Sequence, residues 1–477
     1  MVVLLGSYTI PFLGVSVFIA ALIYITYTLL SDYLRKWFEM KPIPQVEGHI
    51  PSLETRCKFF RQIEDYTREF ADAPLLKLWI GPVPFVILFH AETVEPIVTN
   101  PVHMEKAVVY NFLHPWLGTG LLTSTGSKWR QRRKMLTPTF HFSILADFLE
   151  VMNEQAEILV EKLDKKVGKG SFNCFSHITL CALDIICETA MGKKIYAQSN
   201  SDSEYVKSVY KMSDIISRRQ RTPWFWSDLV YYYFGEGKEH NRILKVLHSF
   251  TYKVINERAE NVSNSESDSD SDDGAKKRRA FLDMLLKTTD EEGNGMSHQD
   301  IQEEVDTFMF EYSCHATVSN SSGMLSGHKL SFCDLKASAY IRRLLKNIFP
   351  TISRTFFVPV DGFKVPKGAN AVIIPYARHR DPRYFPEPEE FRPERFLPEN
   401  SVGRPPYAYI PFSAGLRNCI GQRFALMEEK VILSSILRNF NIEACQTREE
   451  LQPVGELILR PENGIWIKLE KRKLQTL

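Results

Sequence analysis

Residues 412–421 read Phe412-Ser413-Ala414-Gly415-Leu416-Arg417-Asn418-Cys419-Ile420-Gly421, and an amphipathic helix is predicted to begin directly afterwards, at about Gln422. Gly415 and Gly421 let the backbone turn closely around the Cys419 sulfur. Amides at the start of the helix can donate to that sulfur, and a helix N-terminus favours negative charge. Both effects hold Cys419 as a thiolate, the form that ligates a metal. Arg417 offers a planar fork to a carboxylate, and Phe412 completes the pattern F-x-x-G-x-R-x-C-x-G. A single cysteine is usually a small buried apolar residue. The coincidence of every fixed position points instead to a metal-ligating loop.

Working outward, the first 31 residues carry no charged side chain, and residues 12–30 form a mostly apolar stretch of 19 residues. At helical rise this spans roughly 28 Å, the thickness of a bilayer's hydrocarbon core. The basic start, short apolar region and small-residue cleavage site of a removable signal are absent, so the segment reads as an uncleaved anchor. Arg35, Lys36 and Lys41 follow it, which places the remaining chain on the cytoplasmic side. Lys41-Pro42-Ile43-Pro44 then reads as a stiff, helix-stopping hinge.

The 477-residue chain balances 59 Lys+Arg against 57 Asp+Glu, which excludes the broad basic excess of a nucleic-acid binder. Eight cysteines at irregular spacing, with no CxxC pair, suit a reduced compartment. Residues 75–80 and 85–89 flank Gly81-Pro82-Val83-Pro84 and predict a hairpin. A second hairpin is predicted from residues 456–460 and 465–469 around Asn463-Gly464, and a turn at Asp361-Gly362. Phe148, Met152, Ala156, Leu159 and Leu163 recur at helical spacing and predict an inward helix face. The acidic run 263–273 reads as a solvated loop, and the sequon at Asn261 lies on the side where glycosylation is not expected. The fold class is mainly α with small β-sheets, preceded by a single N-terminal transmembrane helix.

The cysteine loop resembles the haem-ligand loop of the cytochrome P450 family, and other segments agree. Residues 389–396, EEFRPERF, resemble the stretch that precedes that loop. Lys128-Trp129-Arg130-Gln131-Arg132-Arg133 contains the family's W-x-x-x-R, with Trp129 and Arg133 on one helix face. His114-Pro115-Trp116-Leu117-Gly118, Leu136-Thr137-Pro138-Thr139-Phe140 and Val305-Asp306-Thr307-Phe308-Met309-Phe310-Glu311 narrow the likeness to family 4, and within it to the insect branch.

The resemblance implies a cytochrome P450 fold around haem b (iron protoporphyrin IX), with Cys419 as the metal ligand. Trp129, Arg133, Arg354 and Arg417 would bind propionates, and Phe412, Gly415 and Gly421 would shape the loop. It further implies a monooxygenase that inserts one oxygen atom from O2 into a fatty acid or related lipid. Electrons would come from NADPH through NADPH-cytochrome P450 reductase, with cytochrome b5 as a further partner. Glu311 matches an acid that often forms an ester with a haem methyl; the alternative is an ordinary polar residue near a helix end. The expected organisation is an anchor at 1–31, a hinge at 32–51 and a catalytic domain at 52–477. The expected location is the endoplasmic reticulum membrane, single-pass, with the catalytic domain cytoplasmic. Around Arg133, the residues Arg130, Arg132 and Lys134 read either as a reductase-docking face or as a solvated helix face.

Residues 312–352 depart from the family pattern. Tyr312-Ser313-Cys314-His315-Ala316-Thr317 stands where members have Gly-His-Asp-Thr-Thr, so the acid–alcohol pair that delivers protons is missing. Ser313, His315 and Thr317 are the nearest replacements, and Cys314-His315 lacks further ligands for a metal site. The E-x-x-R slots fall near Leu344 and Asn347, with no acid from 335 to 350, which would leave Arg395 without its carboxylate. The segment lacks sustained helical periodicity, predicting loss of half a central helix. A frame-shifted or misjoined coding segment accounts for this better than adaptive redesign. Two alternatives to the monooxygenase follow: a catalytically silent relative with impaired haem binding, and a haem-thiolate enzyme that uses peroxides.

Overall fold

The computed structural model describes residues 2–45, 56–101, 105–200, 204–267, 280–289, 293, 295–325, 351–353, 358–360, 363–390, 392–455, 457 and 459–472. Helix α1 (Val2–Glu39) contains, at Ser16–Glu39, a span long and apolar enough to cross a membrane. Its Phe18 and Leu29 project outward, more than two-thirds exposed at 69% and 67%, as a helix sided by lipid requires.

The helix does not stop at residue 31. Arg35 bonds Asp32 at 2.7 Å and Glu39 at 3.0 Å, and these one-turn pairs carry the helix through the start of the expected hinge. The chain then turns at Met40, before Pro42. Met40 and Ile43 are buried, Lys77 Nζ donates to the Met40 and Lys41 carbonyls at 3.0 and 3.2 Å, and Gln45 bridges Lys77. Residues 40–45 are therefore stapled to the sheet rather than hinged; residues 46–51 lie outside the described residues.

After α2 (Arg56–Glu69), strands β1 (Leu75–Ile80) and β2 (Val83–Leu88) form the predicted hairpin, with Ile80 opposite Val83. Gly81, at φ 57°, supplies the left-handed turn. Helices α3 (Ala91–Thr99), α4 (His114–Leu117), α5 (Gly126–Leu136) and α6 (Phe142–Asp164) follow. The predicted face of α6 is inward throughout, with Phe148, Met152, Ala156, Leu159 and Leu163 all in the main core. Strand β3 (Phe172–Asn173) leads to α7 (Phe175–Met191), α8 (Glu204–Arg221), α9 (Asp228–Phe234) and α10 (Gly237–Ser267). The acidic run thus begins as helix to Ser267; residues 268–279 lie outside the described residues.

Helix α11 (Phe281–Lys287) precedes α12 (His298–Leu325), which crosses the centre of the molecule. The backbone of α12 continues fourteen residues beyond Glu311, against the expected loss of its second half. Once a helix is nucleated each added residue gains a hydrogen bond, so propagation tolerates a sequence without an apolar stripe.

Strands β4 (Thr351–Ser353) and β7 (Asn370–Ile373) complete the sheet β1-β2-β7-β4, in which β2 and β7 run parallel. Strands β5 (Val358–Val360) and β6 (Phe363–Val365) pair with Val360 opposite Phe363; the predicted Asp361-Gly362 turn lies outside the described residues. Helix α13 (Pro375–Arg378) and a run of short turns lead to α14 (Gln422–Asn439), which starts at the predicted residue. Strand β8 (Phe440–Ala444), α15 (Arg448–Leu451), β9 (Pro453–Gly455), β10 (Leu459–Pro461) and β11 (Trp466–Lys471) end the chain.

The second predicted hairpin does not form. β10 pairs with β9, whereas β11 lies between β3 and β8. Asn463-Gly464 joins two sheets, because Asn173 Oδ1 accepts from the Ile465 amide at 3.0 Å and draws β11 toward β3. Helix α12 packs against α7 and α14, and α6 packs against both of those helices, so the cysteine loop sits on the helical core.

Candidate haem-binding site

The loop before α14 is held by its own backbone. The Cys419 amide donates to Phe412 O at 2.9 Å, and the Asn418 amide to Gly415 O at 3.1 Å. Ser413 has φ 58° and Gly415 φ 69°. A Cβ at Gly415 would overlap the Val98 carbonyl oxygen, so this position needs glycine for both conformation and space. Gly421 differs from expectation: its φ of −84° is open to any residue, and it serves as the buried residue preceding α14.

Arg417 turns away from the loop. Its Nη2 donates to Ser124 O at 2.6 Å and its Nη1 reaches Leu121 O at 3.5 Å. The guanidinium lies over the Trp129 ring at 4.4 Å. Its Nε is buried without a hydrogen-bond partner. Arg133 donates through both Nη atoms to Asn418, to its backbone and side-chain oxygens at 2.7 Å each. The α5 arginine expected to face a cofactor carboxylate is thus also a tie to the cysteine loop.

The electrostatics gather these groups into one cluster. Burial lowers Arg133, with Cys419 and Glu311 opposing the shift. Burial brings Arg417 down to about 10, Tyr110 opposing and Arg133 adding to the shift. Burial pushes Glu311 up to about 7 against the pull of Lys106 and Arg133. Lys106 is brought down to about 7 by burial and by Arg417, with Glu311 opposing. Lys106 and Glu311 keep some accessible surface although desolvation dominates them, the combination expected of groups lining an enclosed space. Lys106 and Arg133 both act on the Glu311 carboxyl, Arg417 lies beside them, and its Nε has no acceptor. That excess of donors and positive charge fits a group carrying two carboxylates.

Trp129, Arg133, Glu311, Phe412, Gly415, Arg417, Cys419 and Gly421 are therefore in one region, whereas Arg354 lies outside the described residues. Lys106 and Tyr110 escaped sequence reasoning. Their one signal is the spacing of four that sets Lys106 Nζ 4.4 Å over the Tyr110 ring.

The basic face of α5 also resolves. Arg132 is buried and paired with Asp300, with Glu304 at 3.8 Å, so it faces α12 rather than a docking partner. Arg130 and Lys134 remain exposed. Arg395, expected to lose its partner, is buried and donates to the carbonyls of Glu387 at 2.6 Å and Glu390 at 3.2 Å. Among the described residues, two neutral main-chain acceptors thus bind it.

The family model described as Cytochrome P450 matches residues 40–324 and 347–469. The chain belongs to the cytochrome P450 family. Human cytochrome P450 4V2 is 55% identical over 483 residues, covering 93% of this chain and 92% of its own. Cytochrome P450 4c3 of Drosophila melanogaster is 45% identical over 437 residues, covering 83% and 82%. These relatives establish family 4, and the human protein shares more of the sequence than the fruit-fly one, against the expected insect-branch likeness. The solved heme domain of a cytochrome P450DA mutant superposes with a TM-score of 0.75 at 19% identity, covering 90% of this chain and 98% of that one, and shows the fold. This P450 is a haem-thiolate monooxygenase by family, an oxidoreductase with a haem cofactor. Within the departing segment 312–352, the family model leaves residues 325–346 unmatched.

Proposed function

We propose that the chain hydroxylates a lipophilic substrate, such as a fatty acid or related lipid, with Cys419 as the thiolate that would hold the iron of haem b. The observation that carries this reading is the cluster around Arg417, where cations and an unpartnered donor converge beside the cysteine loop. When bound, haem b supplies oxygen chemistry at iron, with a thiolate favouring O–O cleavage.

The chain's own residues have defined tasks. The loop presents the Cys419 sulfur from a backbone fixed at both ends, and the start of α14 behind it favours the thiolate. Arg417, Arg133 and Trp129 hold the propionates, and Lys106 adds a further donor. Glu311, on α12, would be the acid of the ester tether; burial pushes its carboxyl up to about 7, so that a share of it is protonated near neutrality. Phe310, next to Glu311, is packed into the apolar core against Trp116 in edge contact at 5.0 Å. Helix α1 anchors the chain in the endoplasmic reticulum membrane, where lipid substrates partition. Electrons come from NADPH through NADPH-cytochrome P450 reductase, assisted by cytochrome b5.

One observation favours the peroxide-using alternative: Tyr312-Ser313-Cys314 replaces the proton-delivering segment. Full-length protein in lipid with reductase, NADPH and a fatty acid separates the readings. Hydroxylated product that requires NADPH supports the monooxygenase. Turnover of a lipid hydroperoxide alone supports the alternative, and a colourless, inactive protein supports a silent relative.

A further inference from the structure

We propose that Glu304 is a positioning residue for the propionate cradle, fixing Arg417 through the main chain of Leu121; this rests on the haem-binding reading above. Glu304 is wholly buried on α12, and its Oε2 accepts from the Leu121 amide at 3.0 Å. The carbonyl of the same residue faces Arg417 Nη1 at 3.5 Å, and three residues on, Ser124 O accepts from Nη2 at 2.6 Å. One strap, residues 118–124, thus receives α12 on one edge and hands acceptors to the cysteine loop on the other.

The strap has been cleared for this contact. A Cβ at Gly120 would lie 2.8 Å from both the Glu303 carbonyl oxygen and Thr307 Oγ1, and Gly118 packs on the Glu303 side chain. The neighbouring acids fasten the other side of the cradle. Lys128 Nζ bonds Glu303 at 2.9 Å and Thr119 Oγ1 at 2.6 Å, while Arg132 pairs with Asp300. These residues alternate with Trp129 and Arg133 along α5, so the face of α5 that meets α12 sets the angle of the face that meets the loop. Glu304 differs from its neighbours in having a buried Oε1 without a hydrogen bond, 3.8 Å from Arg132 Nε. A buried carboxyl that spends its one good bond on a peptide amide acts on that peptide.

The test compares Glu304→Ala with Glu304→Gln, whose side-chain oxygen still accepts from Leu121. In full-length protein as purified, amide hydrogen exchange in Glu304→Ala is expected to rise about tenfold in residues 118–124 and again in 412–421. Glu304→Gln stays within about threefold of wild type at both segments. Haem transfer to apomyoglobin accelerates about tenfold in Glu304→Ala, and Glu304→Ala added to Arg417→Ala brings no further acceleration. Faster exchange confined to 118–124, or additive haem loss in the double variant, overturns the proposal. Should Glu304→Ala yield no folded protein, Glu304→Asp, one methylene too short for Leu121, is read by the same criteria. The exchange measurement needs no haem, so a wild-type chain that binds none would refute the functional reading while leaving this one to be decided.

Discussion

The guanidinium of Arg417 lies 4.4 Å over the indole of Trp129, although the two stand on separate elements 288 residues apart in a chain of 477. The contact joins the W-x-x-x-R helix to the cysteine loop through side chains, while Ser124 O ties the same arginine to the strap between them. Arg417→Lys keeps a charge but loses the planar fork that serves Ser124, Leu121 and the open Nε direction together. Haem content measured as pyridine haemochrome is expected to fall several-fold, by about 1–2 kcal/mol of binding. Unchanged content would mean that charge alone suffices.

Gly415→Ala tests the loop itself. The residue has φ 69° and meets the Val98 carbonyl, so alanine adds both strain and overlap. The expected cost is about 1–3 kcal/mol, read as a lower Tm, with the Gly421→Ala change milder because φ there is −84°.

Glu304 gives the molecule a pH dependence. Burial pushes its carboxyl up to about 7, Glu303 adding to the shift while the Leu121 amide, Arg132 and Lys128 oppose it. The folded state then holds this proton more tightly than the unfolded chain, so stability falls as pH rises from the ordinary carboxylate range through about 7. Glu304→Gln cannot ionise. Its Tm relative to wild type is expected to be higher at about pH 8 than at about pH 5, a difference on the order of 2 kcal/mol. A constant offset across that range would contradict the burial assignment.

Arg395 provides a contrast between acid and main chain. It donates to the main-chain carbonyls of Glu387 and Glu390, while the carboxylates of those two residues pair with Arg392. Replacing both acids by glutamine is expected to leave the Tm nearly unchanged, because these ion pairs are exposed to solvent. Arg395→Ala removes a buried guanidinium together with its two bonds to main-chain carbonyls and is expected to cost about 1–3 kcal/mol. Thermal unfolding of the variants checks both.

Local signals were the legible ones. The α6 stripe, the Gly81-Pro82 hairpin, the start of α14 and the five fixed positions of the cysteine loop each express a short-range rule of spacing or turn chemistry. What could not be read depends on partners far along the chain. Asn463-Gly464 has the composition of a hairpin, yet Asn173 claims the next amide and sends β11 into another sheet. The stretch after residue 31 looked like a hinge because its prolines come later than its helix-supporting ion pairs. Arg132 read either as part of a docking face or as part of a solvated helix face, because nothing in its own segment reveals Asp300. Glu304 and Lys106 carry no motif at all; only the packing of α12 and the cysteine loop gives them a role.

The central claim is that the Cys419 sulfur ligates haem iron. Full-length wild type and Cys419→Ser, each reduced under carbon monoxide, should differ in one band: the red-shifted Soret absorption of a thiolate-ligated ferrous complex in wild type, and its loss in the serine variant. Identical spectra from the two proteins would contradict the account.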